Sequence, residues 1–540
     1  MSAILERTLD PFMKLTHSIS QNWLIVISTL FLIIFTNVTF FKGVIVIYPL
    51  ALENIPFLIS VFVLFSCLIA IVLSLLCYRL TIKPVLISVF LISSFAAYFM
   101  DSYASIIDET MIDNILQTNM NEALDLFSIK QVLYVVFLGV LPAILVFKTT
   151  IPKLSLVQAS IAKLKLLGVL LMIVVSILWL FSDYYFSFFR EHRSLRHYVN
   201  PVYYMVSIGK YATKSFRNPT LPLRKIAPEA RISPSDPHRE LIIFVVGETA
   251  RADHFSLNGY AKKTNPLLEK ENVINFTNVT SCGTSTAHSV PCMFSIYTRD
   301  NYEKNKAKNT ENVLDILKTA GVNVLWIDNN SSSKGVADRI PHIDYRTAKN
   351  NPVCDDECRD EGMLANIQEY IDRHPTGDIF IVLHQMGNHG PAYYKRYPKD
   401  FEKFKPACKT NQFESCTKEE INNAYDNAIL YTDYFLAKTI SLLKKNDSKF
   451  EAALFYASDH GESLGENGLY LHGLPYMMAP DAQKKVPLIL WFSDSFIADD
   501  ANILEIKNHA EISHDNIFHT ILGFMEVETN VYNKDLDILN

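Results

Sequence analysis

The sequence predicts an α-helical membrane domain with five transmembrane helices, followed by a three-layer α/β domain. Three observations predict it. Long apolar runs crowd the first third of the chain, and from Glu240 short β-rich runs alternate with helical stretches. Beyond the apolar runs, the cysteines fall in close pairs. At 540 residues the chain is long enough for two or three domains, each with its own core. The net charge of −6 argues against a generic nucleic-acid binder, which is usually basic.

The apolar runs are Trp23–Phe41, Ile55–Cys77, Val85–Met100, Gln131–Phe147 and Leu164–Phe186. Each is long enough, or nearly so, to cross a bilayer. Pro84 and Asp101 bound the third. Buried soluble helices are a poor reading, because five such runs follow one another between polar loops. A cleaved leader is also a poor reading, since the first run is too long and no small-residue cleavage pattern follows it. Loop charges set the orientation. Arg7 and Lys14 precede the first span, Arg79 and Lys83 separate the second from the third, and Lys148, Lys153, Lys163 and Lys165 separate the fourth from the fifth. The loop Asp101–Lys130 instead carries Asp101, Asp108, Glu109, Asp113, Glu122 and Asp125. The N-terminus is therefore expected inside, and everything after Phe186 outside.

Cysteine usage tests the orientation independently. Cys67 and Cys77 belong to a span and are expected only to pack. The others pair by proximity as Cys282 with Cys292, Cys354 with Cys358, and Cys408 with Cys416. An even number at short spacings in an exported domain reads as three local disulfides. A metal role for Cys354 and Cys358 is weaker, because no second pair sits at zinc-finger spacing.

The expected division is residues 1–186 as the membrane domain, 187–238 as a connector and 239–540 as the catalytic head. In the connector, Phe186–Phe189 and Val199–Tyr211 mix aromatics with Arg190, Arg193, Arg196, His192 and His197, the composition of an amphipathic interfacial helix. Pro219, Pro222, Pro228, Pro234 and Pro237 then predict an extended stretch.

In the head, strands are expected at Leu241–Val246, Asn323–Ile327, Ile379–Leu383, Ala452–Ala457 and Leu488–Phe492. Helices are expected around Thr310–Ala320, Met363–Arg373 and Ile421–Lys444. This alternation predicts a largely parallel sheet, which binds ligands beyond the carboxyl ends of its strands. Four strands end in residues suited to metal or phosphate: Gly247-Glu248-Thr249, Asp328-Asn329-Asn330 leading to Ser333-Lys334-Gly335, His384 with Asn388-His389-Gly390-Pro391, and Ser458-Asp459-His460-Gly461-Glu462. One Asp-His pair is usually a surface turn. Four such ends on one sheet edge describe a site.

Glu248, Asp459 and His460 offer two oxygens and a nitrogen, a set that suits zinc with an open position and that manganese would also accept. Carboxylate-rich metal sites suit phosphoryl transfer. The nucleophile is sought in Thr280-Ser281-Cys282-Gly283-Thr284-Ser285-Thr286-Ala287-His288-Ser289, ahead of an expected helix Val290–Tyr297. A hydroxyl at a helix start meets free backbone N–H groups, although Ser and Thr are also ordinary caps there. Pattern alone leaves Thr284 and Thr286 as alternatives. This segment has no Cys/Ser-x-Pro-x-Arg sequence for a formylglycine nucleophile.

Gly247-Glu248-Thr249-Ala250-Arg251-Ala252-Asp253-His254, the Cys282–Cys292 segment, Asn329-Asn330-Ser331 with Lys334-Gly335, His384-Gln385-Met386-Gly387-Asn388-His389-Gly390-Pro391 and Ser458-Asp459-His460-Gly461-Glu462-Ser463-Leu464-Gly465-Glu466 resemble the lipid A phosphoethanolamine transferases of Gram-negative bacteria, which include the mobile colistin-resistance enzymes. The likeness covers essentially the whole chain. It implies an alkaline-phosphatase or sulfatase-like head on a five-helix membrane domain, in the inner membrane with the head in the periplasm.

The resemblance further implies Glu248, Thr286, Asp459 and His460 as zinc ligands, with Thr286 becoming phosphorylated. His389 and His472 match positions that bind the substrate phosphate or a second zinc. Asn330, Ser331 and Lys334 match the phosphoethanolamine pocket, and Asn114, Thr118 and Glu122 match lipid head-group contacts. The i, i+4, i+8 spacing of those last three places them on one helical face. The implied reaction is ping-pong: phosphatidylethanolamine as donor, lipid A phosphate as acceptor, and Lys334, His389 and His472 assisting. The implied state is a membrane-embedded monomer with no nucleic-acid partner. Capping an acceptor phosphate lowers surface negative charge and would weaken polymyxin binding. Rival expectations are transfer to core sugars, phosphoglycerol transfer to a teichoic-acid polymer, and a non-catalytic sensor that has kept the head.

Overall fold

The computed structural model describes residues 18–118, 120–217, 222–233, 238–499 and 511–539. Arg7 and Lys14, and Pro219, Pro234 and Pro237 of the linker, lie outside them. The chain divides into two compact units. One is Met1–Ile112 with Phe127–Thr213, and the other is Asp113–Leu126 with Lys214–Asn540.

Up to Arg217 the helices are α1 (Gln21–Phe35), α2 (Val38–Ile47), α3 (Ile55–Leu76), α4 (Ile82–Tyr103), α5 (Glu109–Gln117), α6 (Met120–Asp125), α7 (Ile129–Lys148), α8 (Leu156–Leu180), α9 (Ser182–Glu191) and α10 (Val202–Arg217); they belong to the first unit, except that α6 and the ends of α5 and α10 belong to the second. Among the described residues, α3, α4, α7 and α8 are each long and apolar enough to cross a membrane, and α1 with α2 makes a fifth span bent by 61°. The first run is thus a broken rod. Its break has an identifiable cause. Asn37 donates Nδ2 to the Leu32 carbonyl (3.0 Å) and to the Asn200 carbonyl (2.8 Å), while its Oδ1 accepts from Asn200 N–H (2.9 Å). Thr36 Oγ1 also takes the Leu32 carbonyl, at 2.8 Å. These side chains satisfy backbone groups that a continuous helix would have paired.

The fifth span starts earlier than its hydropathy suggests. Ser155 and Gln158 form a capping box, so α8 begins at Leu156 and carries Lys163 and Lys165 on the helix rather than in a loop. Lys163 bends to donate to the Cys77 carbonyl (2.7 Å) and lies 3.5 Å from the Tyr78 ring centre, which lets the stem stay apolar and the ammonium stay paired. The same span ends at Leu180, and the expected continuation to Phe186 becomes α9 after a break at Phe181. Cys67 and Cys77 are buried and free, as packing residues.

The second unit is built on a seven-stranded sheet: β1 (Glu240–Gly247), β2 (Ile274–Phe276), β3 (Asn323–Asp328), β4 (His342–Asp344), β5 (Ile379–His384), β6 (Glu451–Ser458) and β7 (Leu488–Phe492), in the order β2-β7-β6-β1-β5-β3-β4. Strands β6, β1, β5, β3 and β4 run parallel, while β7 is antiparallel to both β6 and β2. Every residue of β1, β5 and β6 is buried, as expected of strands covered on both faces. The helices used below are α11 (Thr286–Met293), α12 (Val313–Thr319), α13 (Ile367–Arg373) and α14 (Lys418–Lys444).

All three disulfides are present: Cys282–Cys292, Cys354–Cys358 and Cys408–Cys416. The helix expected at Val290–Tyr297 forms instead at Thr286–Met293, with Pro291 inside it. Ser285, in extended backbone, is its N-cap, and its carbonyl accepts from His288 and Ser289 N–H. The cap therefore lies within the hydroxyl-rich segment, and the helix starts at Thr286 rather than at Val290.

Phe244 on β1 stacks on Phe455 of β6 with ring centres 4.5 Å apart and is fully buried. Phe244→Ala should cost about 3–5 kcal/mol. In the detergent-solubilised full chain, the head's melting transition should fall by several degrees, and an unchanged transition would contradict this packing.

Candidate active site

The parallel register brings the strand ends together. Gly247 on β1 lies opposite Ser458 on β6, Val246 opposite His384 on β5, and Asp328 on β3 opposite His384. The next residue along β1 is Glu248, and the next along β6 is Asp459, so two carboxylates emerge side by side. Both are buried, and with His460 their ligand atoms lie within 4.8 Å of one another.

Thr286, the first residue of α11, points its hydroxyl into this group. Its Oγ1 is 3.2 and 3.3 Å from the two Glu248 oxygens and 3.3 Å from His460 Nε2. Thr284 is turned away, because its hydroxyl donates to the Leu474 carbonyl at 2.6 Å. The two threonines that pattern left as alternatives thus have different surroundings, and only Thr286 faces the carboxylate–imidazole group.

The electrostatics are those of a site waiting for positive charge. Burial and the Glu248 charge push the Asp459 carboxyl well above the usual carboxylate range. Burial would raise Glu248 too, but the surrounding imidazoles pull it down to about 2. Burial lowers His460 to about 3, leaving a neutral ring. Asp459 Oδ2 is buried without a hydrogen-bond partner. An orphaned buried carboxylate oxygen beside a second carboxylate and a neutral imidazole nitrogen fits a divalent metal such as zinc.

Supporting contacts fix the group. Thr249 adopts a left-handed φ of 58° that lets its hydroxyl donate to Glu248 Oε1 (2.6 Å) and its N–H donate to Asp459 Oδ1 (3.1 Å). Asn330 Nδ2 donates to Glu248 Oε2 and to the Gln385 carbonyl, both at 2.7 Å. Gly387 has φ 52°, and a Cβ there would come within 2.8 Å of the Glu248 carbonyl oxygen, so only glycine lets the β5 loop close over Glu248. Asn388 N–H then donates to that carbonyl at 3.0 Å.

The other expected residues surround this core. Lys334 Nζ donates to Ser331 Oγ at 2.5 Å, and burial lowers its pKa against the charges of Glu122 and Glu248. The His472 ring centre is 4.3 Å from that of His460 and 5.8 Å from that of His389. The two flanking imidazoles are shifted in opposite directions. Burial lowers the pKa of His389, whereas Glu462, 3.3 Å from His472 Nδ1, overcomes burial and raises that of His472.

Asn114, Thr118 and Glu122 do not share one helical face. The first helix ends at Gln117 and a second starts at Met120. Thr118 Oγ1 donates back to the Asn114 carbonyl (2.8 Å), a side-chain bond that competes with helix continuation. Of the three, Glu122 is the one whose charge is felt by Lys334, His389 and His472.

Two positioning residues, His514 and Asp360, carry no signal that sequence reasoning used. His514 Nδ1 accepts from Cys282 N–H (3.1 Å) and its Nε2–H donates to the Ser458 carbonyl (3.0 Å), joining the Thr286 loop to the β6 end. Asp360 accepts from Asn329 Nδ2 and from the N–H groups of Met386 and Gly387, at 2.8, 2.9 and 3.1 Å. Both lie far along the chain from the motifs they brace. Only their partners identify them.

Removing one of the two crowded carboxylates should separate metal binding from stability. Asp459→Asn should lower zinc affinity at least about tenfold, while its metal-free form melts no lower than the metal-free parent. Metal analysis and a melt of both apo proteins would test this. A large drop in the apo melt would mean that Asp459 is not held against repulsion.

The family profile described as sulfatase matches residues 240–527, and that described as phosphoethanolamine transferase EptA/EptB matches residues 65–216. Phosphatidylethanolamine transferase Mcr-2 of Escherichia coli is 42% identical over 523 residues, which cover 95% of this chain and 96% of the relative. Phosphoethanolamine transferase EptA of Escherichia coli strain K12 is 41% identical over 528 residues, 96% of each chain. The solved integral membrane protein lipooligosaccharide phosphoethanolamine transferase A from Neisseria meningitidis matches with a TM-score of 0.92 at 34% identity, over 97% of this chain and 99% of its own. Likeness of this extent, across both the apolar helices and the α/β head, shows that the chain belongs to the phosphoethanolamine transferase family.

Proposed function

We propose that the chain transfers phosphoethanolamine from phosphatidylethanolamine to a phosphate of lipid A, through a covalent adduct on Thr286. The observation that carries this reading is the hydroxyl of Thr286 within 3.3 Å of both the Glu248 carboxylate and His460 Nε2, at the start of α11. Family membership supplies the transferred group.

Glu248, Asp459 and His460, with Thr286 itself, are the residues that would hold zinc. When bound, the ion would lower the hydroxyl's pKa and polarise a phosphoryl oxygen. The chain's own groups do the rest. Glu248 accepts from the Thr286 hydroxyl and turns its lone pair toward the incoming phosphorus. The Oγ–P bond forms as the bond from phosphorus to the glycerol oxygen breaks. His472, whose pKa Glu462 raises, is suited to donate a proton to that departing oxygen, and His389, whose pKa burial lowers, to accept the one that Thr286 loses. Lys334 and the free N–H groups of α11 face the charge on the transferring phosphoryl. In the second half an acceptor phosphate oxygen attacks the adduct, the Oγ–P bond breaks and Thr286 regains its proton.

Asn330 and Ser331 line the donor side, with Asn114, Thr118 and Glu122 near the lipid head group. The enzyme would sit as a monomer in the inner membrane of a Gram-negative bacterium, head in the periplasm. The three disulfides support an oxidising compartment. The product has less negative charge at its surface, which accords with polymyxin resistance. The intact carboxylate–imidazole set weighs against a non-catalytic sensor.

Thr286→Ala should abolish lipid modification while leaving membrane insertion intact. The lipid mass spectrum of cells expressing each protein reads this directly. Modified lipid A in the Thr286→Ala strain would remove Thr286 from the reaction, and mass placed on core sugars instead would change the acceptor.

A further inference from the structure

Helix α14 places one tyrosine against the loops that leave β1 and β5. Tyr425 is 0% exposed. Its hydroxyl donates to the Thr249 carbonyl at 2.6 Å and accepts the Arg251 N–H at 2.9 Å. The phenol oxygen thus bridges a carbonyl to the N–H two residues further on, using its one proton and a lone pair. The backbone of the same residue takes the other loop, since the Tyr425 carbonyl accepts from Asn388 Nδ2 at 3.1 Å.

Both loops meet at the carboxylates. Asn388 N–H donates to the Glu248 carbonyl, while Thr249 donates from its hydroxyl to Glu248 Oε1 and from its N–H to Asp459 Oδ1. Thr249 therefore links the two acidic side chains. It does so from left-handed backbone, which a residue branched at Cβ rarely adopts and which lasts only where neighbours hold it. Two bonds hold the peptide unit on its far side: Tyr425 takes the Thr249 carbonyl, and Ser458 Oγ takes the Ala250 N–H at 2.8 Å. Ser458 precedes Asp459 on the same chain, so its bond ties the loop to β6 alone. Tyr425 is the anchor that stands outside both strands.

Arg251 extends the hold to a third loop. With its N–H on Tyr425, its guanidinium donates to the Glu462 carbonyl at 3.1 Å and to Asp253 Oδ2 at 2.7 Å. Glu462 follows His460 by two residues. The tyrosine hydroxyl thus stands behind Glu248, Asp459 and His460 while its own hydrogen bonds go to backbone.

We propose that Tyr425 is a positioning residue for the metal: its hydroxyl keeps Thr249 left-handed and so fixes the spacing of Glu248 and Asp459. This rests on the reading that these carboxylates, with His460, hold zinc. Residues that orient ligands in this way tune metal affinity without contacting the ion.

The test uses the full-length protein in detergent, stripped of metal and titrated with zinc against a chromophoric chelator. Tyr425→Phe removes the hydroxyl and keeps the ring, whose centre lies 5.1 Å from that of His254 and 5.3 Å from that of Tyr393, both edge-on. The variant should fold. Its zinc Kd should rise about tenfold, and its cobalt(II) form should show altered visible bands, which follow ligand placement. Adding Thr249→Asn should return the Kd to within about threefold of the parent, and restore folding if Tyr425→Phe impairs it, because asparagine takes left-handed backbone more readily and keeps a side-chain donor. An unchanged Kd with a lowered metal-free melt would leave Tyr425 a packing role only and overturn the proposal. An unaltered cobalt spectrum, or a loss that Thr249→Asn does not recover, would overturn it too. The parent tests the underlying reading separately. If it binds no zinc, or if Asp459→Asn binds zinc as the parent does, the metal assignment falls first. A zinc-binding parent with an unaffected Tyr425→Phe removes the role of the tyrosine alone.

Discussion

The head is organised around two carboxylates that water would keep apart. Glu248 and Asp459 are 1% and 0% exposed and emerge from adjacent parallel strands. Burying one ionised carboxylate is costly, and burying two together is costlier unless a cation or several donors compensate. Thr249, Asn330 and the N–H groups of Thr249 and His460 supply donors, yet Asp459 Oδ2 still lacks one. That deficit is what a bound cation would offset, and it marks Glu248, Asp459 and His460 as a candidate metal site. Much of the surrounding architecture holds those two oxygens in place.

Holding them requires rigidity from several directions. The Thr286 loop is bracketed by Cys282–Cys292 and tied to the β6 end by His514, while Ser289 donates to the Asp459 carbonyl at 2.5 Å. The β5 loop is pinned through Asp360 and reaches Glu248 by way of Gly387. Left-handed backbone occurs at Thr249, Lys334 and Leu471, beside or within the candidate site. Such strain persists only where neighbours over-determine the conformation.

The core strands were legible because strands buried on both faces read as continuous apolar runs, and antiparallel β7, Leu488–Phe492, matches residue for residue. The edge of the site was legible too, since Glu248, Asp328, His384 and Asp459 follow directly from strand ends. What stayed hidden depends on contacts between distant segments. The bend after Phe35 needs Asn200, which lies 163 residues beyond Asn37. The early start of α8 is written in a capping box that hydropathy windows overlook. The break between Asn114 and Glu122 overrode a helical spacing that looked regular. Thr284 and Thr286 are chemically identical in the sequence and separate only once Leu474 occupies the first.

The pairing of Gly247 with Ser458 also governs how such a protein can vary in length. Side chains alternate faces along a strand, so one residue inserted in β6 would exchange the directions of Asp459 and His460 and dismantle the ligand set. The loops that leave these strand ends are held to the same gauge, because they carry Asn330, Gly387 and His460 to Glu248 and Thr286. Drift in length is tolerated only in segments that touch neither the strand pairing nor these loops.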